Sequence, residues 1–113
     1  MKSIKEKLCW VYMTFGSMKE AKHIGKILVE KELVACVNIL GEAISIYKWA
    51  GDIEEGIEVA MVAKTRCALM PKLIKIVTKK HSYDCPCILA LPIQGGFSEF
   101  LKWIETETDK NNI

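Results

Sequence analysis

His81, Cys85 and Cys87 lie within one seven-residue stretch and carry the side chains best suited to holding a metal. Pro86 between the two cysteines biases Cys85 towards an extended backbone. In an extended segment residues two apart share a side, so both thiols face one way, and an imidazole four residues ahead of the first can converge on them. Asp84 is placed to join. Thiolates favour Cu(I) and zinc, whereas a carboxylate in place of Cys87 would favour harder ions. The competing reading is that free cysteines serve as small buried hydrophobes, because one C-x-C is not a complete tetrahedral set. Cys36 has the same two readings, a packed strand residue or a thiol ligand at a site shared between subunits. Cys9 and Cys67 read as packing residues without a partner.

A second constellation is Trp49, Glu58, Lys64 and Tyr83 together with His81. An indole, a carboxylate, an ammonium, a phenol and an imidazole can bind a small anionic or zwitterionic ligand in a cleft between subunits. They can equally form a network of hydrogen bonds and ion pairs that holds such subunits together. Catalysis has less support. His81 and Cys85 could form a nucleophile and base, but no oxyanion loop or third member accompanies them, and there is no phosphate-binding or dinucleotide fingerprint. The chain is therefore read as a non-enzyme.

The elements that must position these residues follow from periodicity. Residues 9–15 alternate as a central strand covered on both faces. Gly16 ends it, and Ser17 with Glu20 forms the S-x-x-E pattern of a capping box. Ala21, Ile24, Gly25, Leu28 and Val29 then recur at helical spacing over residues 18–31, with Gly25 small enough for close approach to a sheet and His23 towards solvent. Residues 36–65 alternate with period two on both sides of Ala50, Gly51 and Asp52, which predicts two long strands joined by a tight turn. A second helix follows residues 67–70, with Pro71 in its first turn, where a missing N–H costs little. Leu69, Leu73, Ile76 and Val77 give its inner face, and Lys80 its boundary. Residues 88–93 form a last strand, placed at a sheet edge or bulge by Pro92. A final helix runs on Phe97, Phe100, Leu101 and Ile104, and residues 109–113 are expected to fray.

Strand, helix, strand, strand, helix, strand and an extra helix is the α+β, ferredoxin-like split β-α-β arrangement with an antiparallel sheet. Right-handed crossovers put the first and third strands at the centre and the first two helices on one face. The other face is left in need of cover. The hairpin sharpens that need: about fifteen residues per arm at roughly 3.3 Å each span about 50 Å, against a radius of gyration of about 13 Å for a domain of this size. Its apolar tip, with Tyr47 and Trp49, therefore predicts an obligate homo-oligomer.

Length and composition frame the rest. The 113 residues are read as one domain, 1–113, with half of them apolar. The net charge of +2 comes from interspersed acidic and basic residues, which gives little drive towards nucleic acid or anionic membrane. The basic-aromatic strands of an RNA-recognition module are missing as well. The apolar run over residues 8–15 is too short to span a bilayer or to act as a signal peptide, so a cytoplasmic location is expected. Five cysteines without a framework spacing agree with reduced thiols.

Five segments carry a family resemblance: ELVACVNI at 32–39, SIYKWAGDIEE at 45–55, the run 58–65 ending in Lys64-Thr65, HSYDCP at 81–86 and LALPI at 89–93. Together they resemble, in register over nearly the whole chain, the CutA family of divalent-cation tolerance proteins. The resemblance implies a ferredoxin-like subunit similar to the nitrogen-regulatory PII proteins, assembled as a homotrimer through the long hairpin, with a role in tolerance of divalent metals and no established catalysis. It implies no obligatory cofactor, and copper or another divalent cation as the ion bound or sensed. The other reading it allows is a PII-like signalling or scaffold trimer that takes a small ligand or protein partner at the subunit cleft. The chain departs from the family's His-Pro-Tyr-Glu-x-Pro-Glu pattern at Ser82, Asp84 and Cys87, and the last change makes any site there softer.

Overall fold

The computed structural model describes residues 7–108, so the expected fraying of residues 109–113 lies outside the described part. The order is β1 (Leu8–Phe15), α1 (Met18–Glu30), β2 (Cys36–Trp49), β3 (Asp52–Arg66), a single 3-10 turn (Cys67–Leu69), α2 (Met70–Lys80), β4 (Ile88–Pro92) and α3 (Ser98–Glu107). The four strands form one antiparallel sheet in the order β2-β3-β1-β4. This is the α+β ferredoxin-like arrangement, with β1 and β3 central and Pro92 on an edge strand, where its missing N–H leaves no ladder bond unmade.

One face of the sheet carries the core. Val11, Met13 and Phe15 of β1 and Met61 and Ala63 of β3 are fully buried beneath Ala21, Ile24 and Leu28 of α1 and Leu73 and Val77 of α2. Gly25 allows the close approach expected of it: a Cβ there would come within 3.1 Å of Val37 Cγ2 and 3.3 Å of Met61 Sδ. Among the described residues the opposite face is covered at one end, by α3, whose Leu101 and Ile104 pack with Leu8 and Ala35. Arg66 fastens that helix, donating from Nε to Thr108 Oγ1 and from Nη2 to the Glu105 carbonyl, where a cation also meets the negative end of the helix dipole. Phe97 and Phe100, expected on the inner face of α3, are exposed, because the short helix turns only one narrow stripe inward.

The hairpin projects from this body. The long axis of the molecule is 51 Å and the radius of gyration 15.1 Å, above the roughly 13 Å of a compact chain of this length. A bulge between Ile39 and Gly41 adds one residue to β2 and increases its twist. The two arms otherwise stay in register to Trp49 opposite Asp52, closed by Ala50 and Gly51, both at positive φ.

Two expectations need correction. Cys9 and Cys67 are joined by a disulfide across a separation of 58 residues, and are neither reduced nor unpartnered. Cys9 lies opposite Thr65 on the central pair of strands, and the 3-10 turn carries Cys67 back over that position, with Cys67 N donating to the Lys7 carbonyl. That approach is created by strand pairing between distant segments and leaves no trace in cysteine spacing. The capping box is half formed: Glu20 N–H donates to Ser17 Oγ, but the Glu20 carboxylate accepts from the Ser82 N–H and hydroxyl. It therefore ties α1 to the segment after α2.

Candidate functional site

The uncovered sheet face and the α2–β4 connection enclose an open cleft of about 890 Å³. Strand alternation decides what enters it. Trp49, Tyr47 and Ser45 of β2 share a face with Glu54, Gly56 and Glu58 of β3, because the turn sets Trp49 opposite Asp52 and Ser45 opposite Gly56. Thr14 of β1 adjoins Glu58 through the pairing of Thr14 with Ala60. Tyr83, Asp84, Cys85 and Cys87 close the cleft from the connection.

Glu58 is its centre. Its Oε1 accepts a hydrogen bond of 2.5 Å from Ser45 Oγ, and its carboxylate also accepts from the Tyr83 hydroxyl. Burial, the Glu58 hydrogen bond and the charges of Glu58, Glu20 and Tyr47 push the Tyr83 phenol up to about 12. Burial and the Glu58 charge also push the Cys87 thiol up, against the smaller opposite effect of a hydrogen bond with Thr14. Two neighbouring acids are thus held in their protonated forms beside one carboxylate.

His81 stands behind the cleft and does not line it. Its ring is buried, stacked on Phe15 at a centroid distance of 4.9 Å and tilted against Tyr83 at 4.8 Å. Nε2–H donates to the Thr14 carbonyl at 2.8 Å, and Nδ1 accepts from the Tyr83 N–H at 3.0 Å, so both ring nitrogens are engaged. Glu20 Oε2 lies 3.7 Å from Nδ1. Burial pushes the Glu20 carboxyl up, but the two Ser82 hydrogen bonds, the His81 ring and the Gly16 N–H outweigh it and hold the group below its ordinary 4.5. His81 therefore positions Tyr83, and through it the cleft wall.

The residues predicted from the sequence are distributed as follows. Trp49, Glu58 and Tyr83 meet at the cleft, and Cys85 and Cys87 lie on its wall, Cys85 exposed and Cys87 half-buried. Lys64 does not reach it: six residues along β3 from Glu58, opposite Cys36, it donates from Nζ to Asn38 Oδ1. Cys36 shares that remote end of the hairpin and is a free, half-buried thiol. Among the described residues no three His, Cys, Asp or Glu side chains are gathered so as to hold a metal ion. Thr14, Ser45, Tyr47 and Glu54 enter the site without having been singled out. The hairpin members were recoverable from strand parity once the turn was placed, whereas Thr14 depends on a pairing between β1 and β3.

Comparison with known proteins agrees with this architecture. The sequence profile of the CutA1 divalent ion tolerance protein family matches residues 9–107. A divalent-cation tolerance protein CutA from Archaeoglobus fulgidus is 45% identical over 96 residues, covering 85% of this chain and 93% of that protein. The mouse protein CutA is 40% identical over 98 residues, 87% of this chain; the chain spans 55% of that relative's length. The crystal structure of CutA1 from Oryza sativa superposes with a TM-score of 0.91 at 32% identity, covering 93% of this chain and 96% of that one. A structure of the Archaeoglobus fulgidus protein, described there as periplasmic, gives a TM-score of 0.87 at 42% identity over 90% of this chain and 99% of that one.

Proposed function

The chain belongs to the CutA1 divalent ion tolerance protein family, and from that premise we propose that it is a homotrimeric cytoplasmic protein that binds or senses metal ions, copper foremost, without catalysing a reaction. The observation that carries the metal reading is the placement of Cys85 and Cys87 on the wall of the cleft centred on Glu58. His81 has both nitrogens committed and Cys36 is at the far end of the hairpin, so the donors left to a single subunit are two thiols with carboxylates nearby. Two soft sulfur donors suit cuprous copper; they do not suit ions that need six oxygens.

Trimer formation draws support from the hairpin. Ile44, Ile46, Trp49, Ile53 and Ile57 are each more than 60% exposed on one subunit, a run of apolar side chains that calls for cover by other copies. Burying side chains of this size contributes about 1.5–3 kcal/mol each. Cytoplasmic residence has to accommodate the Cys9–Cys67 bond, since reducing compartments oppose disulfides. Cys9 is 4% exposed, and its burial limits access by a reductant.

Anaerobic titration with Cu(I), Cu(II) and Zn(II) tests the metal reading, with a double variant Cys85→Ser, Cys87→Ser alongside. Tightest binding is expected for Cu(I), lost in the variant. Equal affinity in both proteins removes the two thiols from the site. The second reading, a trimer that takes a small ligand at the cleft, is favoured by the meeting of Trp49, Glu58 and Tyr83 around an open volume.

A further inference from the structure

Basic and acidic residues that are mixed along the chain separate in space when it folds. The helix-covered side of the sheet is formed by α1 and α2, and residues 18–31 and 70–81 carry eight lysines against two acidic residues, Glu20 and Glu30. The rest of the chain holds eight basic and twelve acidic residues. All eight of the helix-layer lysines are exposed. None belongs to the hairpin, and the seam proposed above lies on the other side of the sheet, so their exposure does not depend on whether copies assemble. From this segregation we infer that the outer face of α1 and α2 is a docking surface for an anionic lipid bilayer.

The lysines are not arranged for the stability of their own helices. Lys19 lies in the first turn of α1, where the helix dipole disfavours a cation. Lys22 with Lys26, and Lys75 with Lys79, are like charges four residues apart, a spacing at which they repel. Among the described residues none of these five is ion-paired with a carboxylate. A negative surface laid against the two helices relieves that repulsion. A bilayer fits better than a nucleic acid. Lysine is a flexible point charge without the guanidinium fork that reads phosphates, and neither helix contains a Phe, Tyr or Trp on which a base could stack. Met18, Val29 and Ile74 also stand exposed among the lysines. Such side chains gain little from a phosphate backbone, but they enter the headgroup and acyl boundary of a membrane. The attachment is peripheral, since no helix among the described residues is long and apolar enough to cross a membrane.

The test sediments the metal-free full chain with vesicles of equimolar phosphatidylserine and phosphatidylcholine, and with phosphatidylcholine vesicles alone. Partition to the anionic vesicles is expected to exceed that to the neutral ones by at least about tenfold. It should fall by at least about tenfold as salt is raised from about 0.05 M to about 0.5 M. Lys19→Gln, Lys22→Gln, Lys26→Gln together weaken binding by about tenfold or more, and so does the separate pair Lys75→Gln, Lys79→Gln. The helices are changed one at a time, so if one variant fails to fold the other decides. Lys102→Gln, which removes an exposed charge from α3, changes binding by less than about threefold. Equal partition to both kinds of vesicle, or undiminished binding by the helix variants, overturns the proposal. Tighter binding of duplex DNA or of polyglutamate at the same ionic strength overturns it too, by making a different polyanion the partner.

Discussion

Tyr83 reaches Glu58 because His81 holds the start of the α2–β4 connection against β1, with one ring nitrogen on the Thr14 carbonyl and the other on the Tyr83 N–H. Replacing His81 by Ala removes a buried ring and two hydrogen bonds, and a loss of about 3 kcal/mol is expected in urea unfolding. The Tyr83 phenol, followed by NMR of ring-labelled tyrosine, should fall from about 12 towards its ordinary 10.0. Unchanged Cu(I) affinity in that variant accords with His81 as a positioning residue, and a large loss would restore it as a ligand. Cys87 gives a pH prediction. Its raised thiol is protonated near neutrality, and a metal must displace that proton. Copper affinity should therefore climb with pH, about tenfold per unit for each thiol proton released, and a flat profile would exclude Cys87. Glu20 titrates in the opposite sense. Its folded value lies below the ordinary 4.5, so its stabilising effect is complete above that pH and fades as acid carries the pH down through the folded value. Urea unfolding of the parent and Glu20→Gln should differ most near neutrality and converge in acid. Ser82 makes this contact possible with its backbone N–H, which the proline usual at this position in the resembled family motif lacks.

At the scale of the element, the β2–β3 hairpin sets the cleft because its turn sets the register. Ala50 and Gly51 have φ of 52° and 88°, the pair of positive values that a type I′ turn requires. Glycine adopts this conformation without strain and alanine does not, so Ala50→Gly should raise stability and Gly51→Ala lower it, each by about 1 kcal/mol. Thermal unfolding that moves the other way in either variant would show that the tip is held by contacts beyond the turn. Next to the turn, Trp49 serves both the cleft and the proposed assembly. An unpaired charge in an apolar interface costs several kcal/mol, so Trp49→Asp should shift light scattering from trimer towards monomer. A stable monomer of the parent protein would sink the trimer itself.

For the whole molecule, the disulfide joins the first strand to the turn after the third. Closing a loop of 58 residues restricts the unfolded chain by about 4 kcal/mol in the chain-entropy account. Cys67→Ser should lose stability of that order, and thiol titration of the denatured, unreduced protein should find three free cysteines, Cys36, Cys85 and Cys87. Five would mean that the bond does not form.

Much of this architecture was legible before folding. Helical spacing located α1 and α2, period-two alternation located the strands and the reach of the hairpin, and strand order followed from crossover handedness. These are properties of neighbouring residues, and backbone geometry converts them directly into faces and lengths. The family segments were likewise readable, since they are local strings. The Cys9–Cys67 bond, the Glu20–Ser82 bridge, the withdrawal of His81 into the core and the separation of Lys64 from Glu58 were not. Each depends on which residues from distant segments are brought face to face, and on which partner a polar group takes when several are within reach. Sequence therefore determined the elements and the family, whereas tertiary structure decided the sign of charge in the cleft, because only strand register places Glu54, Glu58 and Asp84 around three aromatic rings and leaves Lys64 at the other end of the sheet.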